Sequence, residues 1–205
     1  MAHAICEVIE RDASTLWHYL DPHERWATRV DADTIDDPYC NKLLHILEQA
    51  NLEPVIWNIT TDIGVPVFYC LLLDEMAGQG HMGAGAGCHS AREIALSRAL
   101  TEAVQTRTTY IAGSRDDLTP AEFSEAGRAE KYQYAARVMQ GGEGLGNFQD
   151  IFSKQSPTLE DDIEFLLARL DAVGIDEVVA VDMVNGNYGM PVVRVEITDD
   201  AAVAA

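Results

Sequence analysis

Basic charge is what this chain has least of: 14 Lys and Arg stand against 34 Asp and Glu over 205 residues, for a formal net charge of −20. So acidic a surface repels phosphate backbones and anionic lipid headgroups, which tells against nucleic acid and membranes as partners. Long apolar runs are missing too. No stretch reaches the roughly 20 residues that span a bilayer, and Met1-Ala2-His3-Ala4-Ile5-Cys6-Glu7 lacks the basic segment and apolar core of an export signal. A cytoplasmic protein is expected. Cys6, Cys40, Cys70 and Cys88 show no CxxC or CxxH spacing, so buried free thiols are expected rather than disulfides or a zinc site. His3, His18, His23, His45, His81 and His89 show no metal-ligand spacing either, which tells against a metal-dependent hydrolase.

What the chain does have is a 47% hydrophobic content, ample for a core, and an alternation of helical and extended patterns that reads as an α+β fold. Residues 4–20 read as a helix with Ile5, Val8, Ile9, Asp12 and Leu16 on one side and Glu7, Glu10, Arg11 and Ser14 on the other. That helix begins almost at Met1 with no obvious cap, so a segment upstream is expected to be missing, and exposed apolar surface beside Ile5, Val8 and Ile9 would mark where it docks. Asp21-Pro22 reads as a helix stop followed by a polar connection. A second helix is expected over 39–50, ending near Asn51, then strands over 55–59 and 65–73.

The same helix–strand–turn–strand order recurs later, as a helix over 161–173 stopped by Gly174 and strands over 177–182 and 190–197 around the turn at 185–189. Gly64-Val65-Pro66-Val67 and Gly189-Met190-Pro191-Val192 occupy matching places. This suggests one domain, 1–205, built from pseudo-duplicated helix plus αββ halves of about 4–80 and 81–197 around antiparallel or mixed sheets. Between the units, 110–150 is more polar, with a helical stretch around 125–139 and a flexible hinge or lid at 141–147.

The stretch Gly83-Ala84-Gly85-Ala86-Gly87-Cys88-His89 reads as a small-residue turn that opens into an amphipathic helix, where glycines admit close approach of an anion to the helix N-terminus. On that helix Ile94, Leu96, Ala99, Leu100, Ala103 and Val104 form an apolar stripe. Arg98, Glu102 and Gln105 share the opposite side, with Arg98 and Glu102 paired four residues apart. Each αββ unit is thus preceded by a carboxylate-bearing helix. Glu7, Glu10 and Glu102 are expected to converge at the interface of the two halves, where crowded carboxylates need a cation between them. With the Gln105 amide and with Arg11, Arg98 and Arg194 nearby, such a cluster fits Mg2+ ions bridging to a nucleoside triphosphate.

Three runs carry a family resemblance: Glu7-Val8-Ile9-Glu10-Arg11-Asp12-Ala13, the span from Gly85 to Arg107, and Ala112-Gly113-Ser114-Arg115-Asp116-Asp117. In order and spacing the chain resembles the YcaO family over most of 4–197, most closely members from peptide natural-product clusters that travel with TfuA proteins. The resemblance implies a YcaO-like fold and an enzyme that uses ATP and Mg2+ to phosphorylate a peptide backbone amide after a nucleophile adds to it. A side-chain nucleophile gives an azoline and a sulfide equivalent gives a thioamide. It implies Glu7 and Glu10 as the first Mg2+/ATP carboxylate pair flanked by Arg11, Glu102 as a carboxylate of the second pair with Gln105 where some members have Glu, and Arg194 as a phosphate-binding arginine. Glu93, Arg115 and the Gly85/Gly87 turn are weaker matches.

The implied partners are a ribosomally made precursor peptide and a TfuA-like or ThiF-like protein, a complementary YcaO fragment or a second copy in a homodimer. Family members are longer, and Ile197 leads into Thr198-Asp199-Asp200 rather than a Pro-Gly-Leu-Glu-like segment. These departures leave two readings open, a catalytic component that needs a partner chain and a non-catalytic YcaO-like scaffold that recruits a peptide or enzyme.

Overall fold

The computed structural model describes residues 1–74, 82–113, 116–117, 119–139, 145–184 and 191–198. His81, Ser114, Arg115, the glycines at 141–144, the turn at 185–189 and the alanine-rich tail lie outside the described residues.

Helix α1 (Ala2–Tyr19) starts at Met1 without a side-chain cap. Asp21, read from the sequence as a stop, instead starts α2 (Pro22–Ala27): its carboxylate accepts from the His23 and Glu24 amides while Glu24 reaches back, and Pro22 takes the first turn where its missing N–H costs nothing. Strand β1 (Val30–Asp31) follows, then α3 (Pro38–Gln49), capped by the Asp37 carboxylate. Asn51 closes α3 with a left-handed φ of 54°. Strands β2 (Leu52–Asn58), β3 (Val67–Asp74) and β4 (Gly83–Cys88) form an antiparallel sheet in that order. Helices α4 (Arg92–Ala112) and α5 (Glu125–Val138) lead to β5 (Gly146–Asn147), which pairs in parallel with β1. Then come α6 (Leu159–Asp171) and the antiparallel hairpin of β6 (Glu177–Asp182) and β7 (Val193–Thr198).

The β2–β3–β4 sheet is covered on both faces, which is why its strands read as continuous apolar runs such as Val67-Phe68-Tyr69-Cys70-Leu71-Leu72. One face carries Ile56, Phe68, Cys70 and Leu72 into a core shared with Leu96, Leu100 and Ala103 of α4 and Leu47 of α3. The other carries Val55, Trp57, Tyr69 and Leu71 into a core shared with α1, α6 and the β6–β7 hairpin. All four cysteines are free and buried.

The glycine-rich stretch is a strand, not a turn. Its period of two was the deciding signal: Gly83, Gly85 and Gly87 face α4, and a Cβ built at these positions lies 2.2 Å from Ala103 O, 2.3 Å from Ala103 N and 2.2 Å from Ala95 O respectively. The helix backbone therefore rests directly on the strand backbone, flanked by Ala95, Ala99 and Ala103 and by the Cβ atoms of Arg98 and Arg107. Gly85→Ala is expected to destabilise the protein by about 3 kcal/mol, because backbone atoms on both sides must move; a urea unfolding midpoint measures it.

Two apolar stripes differ from the periodicity reading. On α1 the buried residues are Ile5, Cys6, Ile9, Ala13 and Trp17, whereas Asp12 and Leu16 are exposed. The expected docking surface beside Ile5 and Ile9 is thus covered within this chain. On α4, Leu96, Ala99, Leu100 and Ala103 are buried as expected, but Ile94 and Val104 are exposed and Ala95 is buried. On α4 the face turned to β4 is chosen by closeness of approach rather than by bulk.

The helix–strand–strand order recurs as expected, α3–β2–β3 and α6–β6–β7. Their settings differ: the first hairpin gains β4 as a third strand, while β6 and β7 pair only with each other among the described residues.

Candidate functional site

Among the described residues strand β4 is an edge of its sheet, and its outward amides and carbonyls have no strand partner there. Side chains from two helices occupy them. Glu102 Oε2 accepts from the Ala86 amide at 2.9 Å, Glu10 Oε2 accepts from the Cys88 amide at 3.0 Å, and Thr106 Oγ1 donates to Ala84 O at 2.5 Å. These contacts bring Glu10 of α1 and Glu102 of α4, 92 residues apart in sequence, to one strand edge. A groove of about 640 Å3 opens along it, lined by Glu7, Glu10, Arg11, Tyr69, Ala86 and Glu102 among others.

Arg98 binds the carboxylates from the side. Its Nη2 donates to Glu7 Oε1 at 2.5 Å and lies 3.8 Å from Glu10 Oε2, and its Nη1 is 2.7 Å from His3 Nδ1. The intrahelical Arg98/Glu102 pair expected from the spacing is therefore replaced by a pairing across helices, because Glu102 is engaged at the strand edge. One cation does not balance three carboxylates. Glu10 has only 12% of its side chain exposed, and burial, followed by repulsion from Glu7 and Glu102, pushes its carboxyl up to about 7 against the pull of Arg98 and the Cys88 amide.

Of the sequence-derived site residues, the fold brings Glu7, Glu10, Arg11 and Glu102 to one groove. Gln105 is exposed on α4 and does not line it. Arg194 lies on β7, 64% exposed, where it pairs with Glu196 at 2.6 Å on the hairpin face away from the core. Glu93 sits at the other end of α4, paired with Arg92 at 3.3 Å and accepting from Ser153 Oγ at 2.9 Å, which is a loop-fastening role. Arg98, expected from its spacing to pair with Glu102, is instead the cation that organises Glu7 and Glu10.

The donor set of the groove fits a hard divalent cation: the carboxylates of Glu7, Glu10 and Glu102 and the hydroxyls of Ser14 and Thr15 supply oxygens, no sulfur lines it, and His18 is its one imidazole among the lining residues. Among the described residues no three His, Cys, Asp or Glu side chains are gathered closely enough to hold a metal by themselves. Mg2+ does not demand such a cage, since it commonly takes one or two carboxylates and completes its shell with water and substrate phosphate. Among the described residues, no helix is long and apolar enough to cross a membrane.

The architecture is that of known heterocyclase domains. A heterocyclase solved in complex with substrate and cofactor superposes with a TM-score of 0.73 at 22% identity, over 94% of this chain and 25% of that one. The YcaO protein of Methanopyrus kandleri bound with AMPPCP and Mg2+ gives a TM-score of 0.72 at 22% identity, over 94% and 50%.

The sequence gives the family itself: the model for YcaO cyclodehydratases, described as ATP- and Mg2+-binding, matches residues 1–198, and the chain belongs to the YcaO family. A protein encoded in the tfuA 3′ region of Rhizobium leguminosarum bv. trifolii is 31% identical over 199 residues, and one from Methanothermobacter thermautotrophicus is 30% identical over 195. Each alignment covers 94% of this chain but only 47% and 50% of the relative, so the chain spans about half the length of the curated relatives it matches.

Proposed function

We propose that this chain binds ATP with Mg2+ along the Glu7/Glu10/Glu102 groove and contributes to phosphorylation of a peptide backbone amide, in azoline formation or thioamidation, together with a further polypeptide. The observation that carries this reading is the meeting of Glu7 and Glu10 with Glu102 along one groove, with the Glu10 carboxyl pushed up to about 7 by burial and by its two carboxylate neighbours. Bound Mg2+ would supply that charge and neutralise phosphate oxygens. Glu7, Glu10 and Glu102 would hold it, one or two carboxylates to an ion, and Arg11, exposed at the groove, would meet phosphate; Arg98 holds Glu7 and Glu10 in register.

Gln105 and Arg194 lie apart from the groove and would serve nucleotide binding only through a rearrangement or a partner. The wider reading is one domain, 1–205, of two duplicated halves, about 4–80 and 81–197, in the cytoplasm. It would act on a ribosomally made precursor peptide with a TfuA-like or ThiF-like protein, a complementary YcaO fragment or a second copy. Titration of the folded protein with AMPPCP and MgCl2 by calorimetry tests the core of this reading: Mg2+-dependent binding is expected, and its absence, alone and with the adjacent gene products, overturns it.

A second reading has its own observation. Glu10 and Glu102 also seal the amides of an edge strand, a role that a non-catalytic scaffold would retain. Glu102→Gln separates the two, because Gln keeps an acceptor for the Ala86 amide but removes the charge. Loss of product maturation by a folded Glu102→Gln protein supports the enzyme; full maturation supports the scaffold.

A further inference from the structure

Behind Arg98, on the side away from the groove, lies a second cavity of about 220 Å3 between α1, α6 and the segment joining β4 to α4. Its polar lining is His3, whose Nδ1 lies 2.7 Å from Arg98 Nη1, with His89, Ser90, Arg98 and Asp162, and Leu159 and Leu166 are among its apolar residues. Arg98 lines this cavity and not the groove, although its Nη2 pairs with groove carboxylates. The guanidinium is therefore the partition between the two spaces.

Three features define what the cavity would take. Arg98 Nε is buried and has no hydrogen-bond partner among the described residues, a donor that costs free energy until something accepts from it. His89 Nδ1 accepts from the Ala91 amide at 3.0 Å, so the neutral ring carries its proton on Nε2 as a second donor; burial holds that ring below the usual imidazole range. Ser90, 2% exposed, donates to Asp162 Oδ1 at 2.9 Å, which fixes the carboxylate and leaves Oδ2 to accept from a ligand. The cavity thus offers donors on one wall and an acceptor on the other, with the charges of Arg98 and Asp162 opposed. A carboxylate would meet Asp162 and an ammonium would meet Arg98. A neutral group with one strong acceptor and one N–H satisfies both walls. The volume is several times the roughly 30 Å3 share of one water, enough for a residue rather than a solvent molecule.

The geometry points to this cavity as the binding site for a secondary amide of a peptide, its carbonyl oxygen accepting from Arg98 Nε and its N–H donating to Asp162. This rests on the reading of the adjoining groove as the nucleotide site and deepens it: Arg98 would touch the amide oxygen on one side and the Glu7/Glu10 pair on the other. Arg98 would then couple occupancy of the two spaces.

The test uses N-methylacetamide and its ester counterpart methyl acetate, followed by NMR of the full chain. The amide is expected to bind in the millimolar range, shifting Ser90 and Leu166 signals saturably. The ester, which has no N–H for Asp162, should bind about tenfold more weakly. Asp162→Ala should lose the amide by a similar factor while its AMPPCP affinity stays within twofold; the ester comparison needs no variant and holds even where Asp162→Ala fails to fold. Equal binding of amide and ester, or amide shifts confined to Ala86 and Glu102, overturns the assignment. AMPPCP binding without amide binding sinks the cavity and leaves the groove reading standing. Amide binding without AMPPCP binding does the reverse.

Discussion

Glu10→Gln is expected to make the nucleotide-free protein more stable above pH 7 and, at the same time, to weaken Mg2+-dependent AMPPCP binding by a factor of a hundred or more. Both follow from one displacement. The Glu10 carboxyl sits at about 7 in the folded chain against an ordinary 4.5, because burial and its neighbours Glu7 and Glu102 disfavour its charge. Between those two values the folded state holds more protons than the unfolded one, so unfolding free energy falls as pH rises through that window. The displacement corresponds to a loss on the order of 3 kcal/mol by pH 8. Gln cannot ionise and can still accept from the Cys88 amide, so the variant should show a flatter stability profile between pH 5 and 8. Thermal unfolding at several pH values, with and without MgCl2, measures it. A wild-type profile that does not fall across that window, or a variant no more stable at pH 8, overturns the account of the groove as an unbalanced carboxylate site.

Arg98→Met acts in the opposite sense and should be the more damaging change to the free protein. The side chain keeps its length while the cation 2.5 Å from Glu7 and 3.8 Å from Glu10 is removed. Arg98 lowers the Glu10 carboxyl, so its loss raises that group further and carries the destabilising window above pH 7. Glu7 is 47% exposed and water screens much of its share, which limits the expected cost to about 1–3 kcal/mol at pH 8, shrinking towards pH 5 as Glu10 takes its proton. Millimolar MgCl2 should restore part of the loss, because a divalent ion offers the charge that the arginine supplied. A variant whose stability deficit is the same at pH 5 and pH 8, and indifferent to Mg2+, would show that Arg98 matters for packing alone.

Much of the fold was legible because its strands and helices announce themselves locally. The run Val67 to Leu72, the Asp37-Pro38 entry to α3 and the left-handed Asn51 behind it follow from short-range rules of burial, capping and turn geometry. The misreading at 83–89 has a physical cause: glycine suggests a turn there, whereas every second residue being Gly removes the side chains from one strand face, and α4 moves into the space. Once that contact exists, Ala95 joins Ala99 and Ala103 in the buried face while Ile94 and Val104, at the edges of the expected stripe, are left outside.

The site divides in the same way. That Glu7, Glu10 and Glu102 belong together came from family resemblance and from matching helices, not from spacing, since nothing local joins residue 10 to residue 102. Arg98 at i,i+4 from Glu102 invited the wrong partner. Ser90 and Asp162, 72 residues apart, gave no signal at all, because a cavity wall is made by packing that no window of sequence contains.

The glycine seam between β4 and α4 reaches beyond stability. A side-chain interface can drift, as one rotamer or methyl group compensates for another, but a contact between two main chains has almost nothing to adjust. Glu102 rides on one member of that contact and the Ala86 and Cys88 amides on the other, so the offset between them is fixed by peptide geometry itself. Sequence change elsewhere in the core can loosen or tighten the protein, yet it has little purchase on the spacing of the second carboxylate from the strand it serves. The groove is calibrated by a ruler with no movable parts.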